Sequence, residues 1–205
     1  MRKLYLPLLL LLCSVCISAQ KPLTASQKQR QQIIRSAYSE AQKHAEQQKN
    51  DKHAGSTITT KWGRIEPAVG RIEETIEFFF TSSDDEKTDM IIHNLQLVRH
   101  SYKRPEASIG DMYEEYLFDT KTEKLMFYYM VQNNWWCGEE VKAETRYYYN
   151  SDGSFNSGNV KLTPLNGQKD SYYPDVLQDI DGYSALREQE RYKSIFNATA
   201  NFTME

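Results

Sequence analysis

Cysteine is scarce in this chain. Three are present, and two of them, Cys13 and Cys16, lie inside an apolar run close to the start. Only Cys137 follows that run, so an internal disulfide framework is excluded and stability has to come from a packed core. Long apolar runs are also scarce. The one present, Leu4–Ile17, is shorter than the ~20 residues a membrane-spanning helix needs. A basic cluster is missing: 25 Lys and Arg face 28 Asp and Glu, for a formal charge of −3. That balance argues against nucleic acid or an anionic lipid surface as partner. Glycine-rich phosphate loops, serine elbows and Walker-type phrases are absent, and with them the usual signatures of nucleotide and acyl-transfer enzymes.

The start of the chain carries an address. Met1-Arg2-Lys3 is a basic head, the apolar run is the centre, and Ser18-Ala19-Gln20 closes with small residues. These are the three parts of a secretory signal, with cleavage expected after Ala19. No small residue stands directly before Cys13 or Cys16, which disfavours a lipid anchor. Cleavage would remove two positive residues, Arg2 and Lys3, and move the formal charge from −3 to −5. The mature part, residues 20–205, is of a length that builds one domain around one core.

Residues Leu23 to about Lys52 are predicted to form one long helix. Ser26 with Gln29, or Thr24 with Gln27, fits a capping box. Ile33, Ile34, Ala37, Tyr38, Ala41 and Ala45 recur at helical spacing, in a narrow stripe surrounded by Gln, Lys, Arg and Glu. Gly55 closes the segment. From Ser56 to about Leu162 the texture changes to Thr, Tyr, Phe, Ile and Val with turn residues between runs. Strands are predicted at 56–62, 72–80, 90–102, 112–119, 124–132, 140–150 and 154–162. Asp119–Glu123 and Asn150–Gly153 are hairpin turns, the second through its Asp-Gly pair. Val141, Ala143, Thr145, Tyr147 and Tyr149 alternate with Lys142, Glu144, Arg146 and Tyr148. That pattern predicts one dry and one wet face, with the long helix as the cover. The tail, 163–205, is punctuated by Pro164, Gly167 and Pro174 and is predicted to be irregular, apart from a short helix over Tyr183–Phe196 anchored by Leu186, Tyr192, Ile195 and Phe196.

Three phrases carry a resemblance: Ile34-Arg35-Ser36-Ala37-Tyr38-Ser39-Glu40-Ala41, Glu114-Glu115-Tyr116-Leu117-Phe118-Asp119, and Arg146-Tyr147-Tyr148-Tyr149-Asn150-Ser151-Asp152-Gly153. In them the chain resembles uncharacterised exported proteins of Gram-negative bacteria. The resemblance implies export and a helix-plus-sheet fold. It implies no activity and no functional residue.

Each chemical candidate has a plain competitor. Asp179-Ile180-Asp181-Gly182 with Glu188 has the spacing of part of a calcium loop, but Leu177 stands where the first carboxylate belongs. The phrase therefore reads as a polar turn that caps the final helix. His44, His53, His93 and His100 contain no i, i+4 zinc pair. His93 shares a predicted strand face with Ile91, Leu95 and Leu97, where a carboxylate such as Glu74 could orient it as a base. Its competitor is a core histidine bonded to a hydroxyl or carbonyl. Cys137, with no local base to activate it, reads as a packed thiol under two Trp. Glu114 and Glu115 are neighbours on one strand and point to opposite faces, so they are no facing acid pair. Glu73, Glu74, Glu77, Glu114, Glu115, Glu139 and Glu140 read together as a solvated sheet face. Asn197-Ala198-Thr199 and Asn201-Phe202-Thr203 fit glycosylation acceptors, relevant to a eukaryotic host.

Trp135 and Trp136 sit between two predicted strands. Two Trp at a loop tip can stack on a sugar or anchor a protein, which makes them the candidate binding residues. The expectation is therefore an α+β domain: a long N-terminal helix on an antiparallel meander of about six or seven strands, with an irregular tail. Its expected role is an exported, non-catalytic binding module for a protein or glycan, with no catalytic residue, no metal, no cofactor, no nucleic-acid partner and no stable membrane insertion after cleavage. The alternative is an enzyme or small-ligand carrier with a pocket between helix and sheet near His93.

Overall fold

The structure, a computed structural model, describes residues 22–50, 57–67, 70–85, 90–105, 110–136, 139–165 and 182–202. The expected signal segment Met1–Ala19, His53, Gly55, Cys137 and Asp179–Asp181 lie outside them.

Helix α1, Ala25–Asn50, leads into seven strands. These are β1 Thr57–Glu66, β2 Gly70–Asp85, β3 Met90–Lys103, β4 Met112–Phe118, β5 Leu125–Trp136, β6 Glu139–Tyr149 and β7 Phe155–Pro164, and helix α2, Tyr183–Phe202, follows. The strands form one sheet in sequence order, each antiparallel to the next. The fold is α+β, as the pattern of periods predicts.

Local chemistry accounts for the ends. Of the two capping boxes the sequence allows, Thr24 and Gln27 form one: the Gln27 N–H donates to Thr24 Oγ1 at 3.2 Å, and the Thr24 N–H to Gln27 Oε1 at 2.9 Å. At the β4–β5 turn the Asp119 carboxylate accepts the N–H groups of Lys121 and Thr122. At the β6–β7 turn the Asn150 N–H reaches the Ser154 carbonyl, and Gly153 takes a positive φ of 88°.

Three expectations change. The sheet is covered on both sides, not one. Tyr147 and Tyr149, on the face read as dry, pack with Ala185, Tyr192 and Phe196 of α2. Tyr148, on the face read as wet, packs with Ile34 and Ala41 of α1. The alternation correctly separates the faces of β6, but the aromatic anchors of α2 take the more apolar one. The narrow Ala stripe of α1 takes the other: Ile34, Ala41 and Ala45 are buried, while Ile33 is 52% exposed. The tail is thus not simply irregular. Its 20-residue α2 closes the larger cluster, and burying side chains such as Phe196 contributes about 1.5–3 kcal/mol each.

The third change concerns register. Phe79 pairs with Leu97 and Phe80 with Leu95, so a bulge inserts Gln96. Leu95 therefore joins the α2 side and Leu97 the α1 side. The expected common face of Leu95 and Leu97 does not exist. Among the described residues no helix is long and apolar enough to cross a membrane.

Candidate functional site

Glu114 and Glu115 diverge to opposite faces of β4, as strand geometry requires. Neither is solvated. They are 7% and 3% exposed, and Glu74 is 5% exposed, so the solvated-face expectation fails for these three. Glu114 and Glu115 each gather several donors in place of the lost hydration, and Glu74 is paired with Arg64.

On the α1 face Glu115 accepts hydrogen bonds from the Arg99 guanidinium at 3.0 Å, Gln42 Nε2 at 2.6 Å, and the hydroxyls of Tyr38 and Tyr113. Arg99 also donates to Gln42 Oε1 and, at 2.7 Å, to Glu46, and it lies over the Phe79 ring. This hub ties α1 to the centre of the sheet. Burial, reinforced by the Glu115 charge, pushes the Tyr38 and Tyr113 phenols up. The Arg99 hydrogen bond and charge hold Glu46 below its usual range.

On the α2 face Glu114 accepts from Tyr128 at 2.6 Å, Tyr116 at 3.2 Å and Tyr192 at 3.4 Å. His100 Nδ1 lies 3.0 Å from Glu114 Oε2 and 2.9 Å from the Tyr192 hydroxyl. Its Nε2 faces Glu74 Oε2 at 3.8 Å and has no hydrogen-bond partner. Glu74 in turn pairs with Arg64 at 2.5 Å. Burial, then the Glu114 charge, raises the phenols of Tyr116, Tyr128 and Tyr192. The expected pairing of His93 with Glu74 does not form; the histidine that Glu74 faces is His100, which sequence reasoning did not single out. The residue types suit general base chemistry, but His100 is 4% exposed among core tyrosines, and a base must reach its substrate. The arrangement is a buried polar cluster between sheet and α2, hydrogen-bonded throughout except at His100 Nε2.

His93 sits near the other end of β3. Its Nδ1 lies 2.8 Å from Ser82 Oγ and its ring meets Phe80 edge-on. The cavity beside it, bounded by Leu95, Phe118, Lys193 and Phe196, measures about 20 Å³, room for a single water. Glu74 is not its neighbour: in the β2–β3 register His93 faces Ser82, whereas Glu74 faces Tyr102.

Trp135 and Trp136 belong to β5, opposite Glu140 and Glu139 of β6, so they extend a hairpin where a loop tip was expected. Asn133 and Asn134 are strand residues too, because ladder hydrogen bonding overrides their turn preference. In the calcium-like phrase, Gly182 is buried and its carbonyl accepts the Tyr149 hydroxyl at 3.0 Å and the Leu186 N–H at 3.2 Å, while Glu188 pairs with Arg187 and Arg191. Gly182 thus serves as a helix entry. Among the described residues no group of three or more His, Cys, Asp or Glu is placed to hold a metal ion.

An open concavity lies between the first half of α1 and strands β5–β7. It measures about 760 Å³ and is lined by Gln27, Gln31, Arg35, Arg146, Tyr148 and Asn159 among others. Its frame is fixed: Gln27 donates to the Asn156 carbonyl at 2.9 Å and Gln31 to Ser157 Oγ at 3.0 Å. Tyr148 forms part of its floor, with the Arg35 guanidinium 5.8 Å from the ring centre. Sequence reasoning missed this site. Its signal was the second stripe of α1, Gln27, Gln31 and Arg35 at i, i+4 and i+8, which lies beside the apolar stripe and reads as ordinary solvated surface. No protein-family model matches the chain, and no curated protein or solved structure is significantly similar to it.

Proposed function

We propose that the protein is an exported, non-catalytic binding module, and that the groove between α1 and β5–β7 is its ligand seat. The observation that carries this reading is the contrast between two kinds of polar group. The buried carboxylates Glu114 and Glu115 are enclosed by their own donors. The groove presents guanidinium and amide groups around a space of about 760 Å³, in the range of small-ligand sites, ~300–1,000 Å³. Export rests on the basic head, apolar centre and small-residue end of residues 1–19. The Trp135–Trp136 hairpin is a second candidate contact, for a protein or glycan partner.

The test is retrieval from the native host. Full-length tagged protein is collected from the cell fraction where it accumulates, denatured, and its released small molecules identified by mass spectrometry. Wild type is compared with Asn159→Trp, which fills the groove at an exposed position, and with Trp135→Ala/Trp136→Ala. The expected result is protein outside the cytoplasm with a co-purifying compound that N159W loses at unchanged melting temperature. Equal recovery from wild type and N159W would overturn the groove as ligand seat. Loss from the Trp double variant alone would move the site to the hairpin.

A further inference from the structure

Resting on that assignment of the groove, we infer that its ligand is a small organic oxyanion, with a carboxylate or phosphate head held by Arg35 and Arg146. Both residues line the groove, and they flank Tyr148: Arg35 lies over its ring, and Arg146 is two residues away on the same face of β6. Each guanidinium is placed by aromatic stacking. Arg35 is 5.8 Å from the Tyr148 centroid, and Arg146 is 5.2 Å from that of Tyr129. Each guanidinium spends only part of its planar fork inside the protein, Arg35 on Tyr148 and Gln31 and Arg146 on Glu144, and the remaining N–H donors suit the paired oxygens of a carboxylate or phosphate.

The charge balance points the same way. Among the described residues, no Asp or Glu lines the groove. Arg35 makes only neutral contacts among the described residues, donating to Gln31 Oε1 at 3.3 Å and Tyr148 Oη at 3.4 Å. Arg146 is paired with Glu144 at 3.1 Å, but Glu144 is shared with Lys142 at 3.3 Å. The groove is therefore locally positive on a chain whose formal charge is −3. Two guanidiniums suit one anionic head. A polyanion such as nucleic acid would need a far longer basic track. From Arg35 to Gln27 the helix rises about 12 Å, at 1.5 Å per residue. That length leaves space for a body extending from the head toward the amides of Gln27 and Asn156.

The experiment uses probes that differ in the head. N-acetylphenylalanine, phenyl phosphate and the neutral N-acetylphenylalanine amide are titrated calorimetrically into the full folded protein at low salt. The expected result is binding of at least one anion with no binding of the amide. Affinity should fall at least tenfold in Arg35→Gln and in Arg146→Gln, and should weaken as salt is raised. Arg71→Gln, which alters an exposed guanidinium paired with Glu73 on β2, should leave it unchanged. Preference between the two anions assigns the head as carboxylate or phosphate. Binding of the amide as tightly as the acid, unchanged affinity in both groove variants, or no binding of either anion would overturn the inference. If N159W still strips a co-purifying compound in that event, the groove remains the ligand seat and only its anionic character falls.

Discussion

Removing the Glu115 carboxylate tests the hub that joins α1 to the sheet. In Glu115→Ala, Arg99, Gln42, Tyr38 and Tyr113 each lose an acceptor. Arg99 cannot recover water, because its side chain is only 8% exposed. Breaking a buried ion pair from one side costs ~3–5 kcal/mol, most of it the uncompensated charge left behind. Glu46 and Gln42 still accept from Arg99, which argues against a larger loss. The expected destabilisation is therefore about 3–5 kcal/mol, or ~6–20 °C in melting temperature for a chain of this length. The pair itself is tested by adding Arg99→Met. With the cation gone, the double variant should be more stable than the sum of the single changes predicts, with a coupling of ~0.5–3 kcal/mol. Urea denaturation followed by circular dichroism measures all four members of the cycle, and an unchanged slope confirms that the unfolded state is comparable. A loss below ~1 kcal/mol in Glu115→Ala, or strict additivity in the cycle, would refute the claim that a buried charge pair anchors α1.

Stability should also decline on the alkaline side. Tyr116, Tyr128 and Tyr192 have phenols raised above the ordinary value of 10.0 by burial and by Glu114. Their contribution is complete below pH 10 and is lost as pH rises toward the folded values, because unfolding then releases protons. The expected slope approaches ~1.4 kcal/mol per pH unit for each phenol that ionises only on unfolding. Urea midpoints that stay level between pH 9 and 11.5 would contradict it. Gly182→Ala should destabilise by more than ~1 kcal/mol, because φ is 66° and a Cβ would lie 2.7 Å from Tyr149 Oη and 2.9 Å from Phe155 Cδ2. A wild-type melting temperature in this variant would show that the entry to α2 is not held as described.

Local pattern made much of this molecule legible. The helix–seven-strand order, the turns at Asp119–Glu123 and Asn150–Gly153, and the divergence of Glu114 from Glu115 all follow from periodicity and turn chemistry, which act over a few residues. So does the start of α1, although the chain offered two capping boxes and only the fold chose Thr24 with Gln27. What stayed hidden was non-local. Whether α1 or α2 covers a given face depends on competition between two helices far apart in sequence for one sheet. The bulge at Gln96 depends on pairing with β2, and it decides which face Leu95 and Leu97 join. His100 meets Glu114 across a β-ladder and Tyr192 only through the docking of α2, so nothing near His100 in the chain marks it above His93. The groove is more dependent still. Arg35 and Arg146 are separated by most of the chain, and each alone looks like a solvated charge. They come to line one groove because α1 crosses the sheet beside Tyr148, and a crossing position is set by packing, which no window of sequence contains.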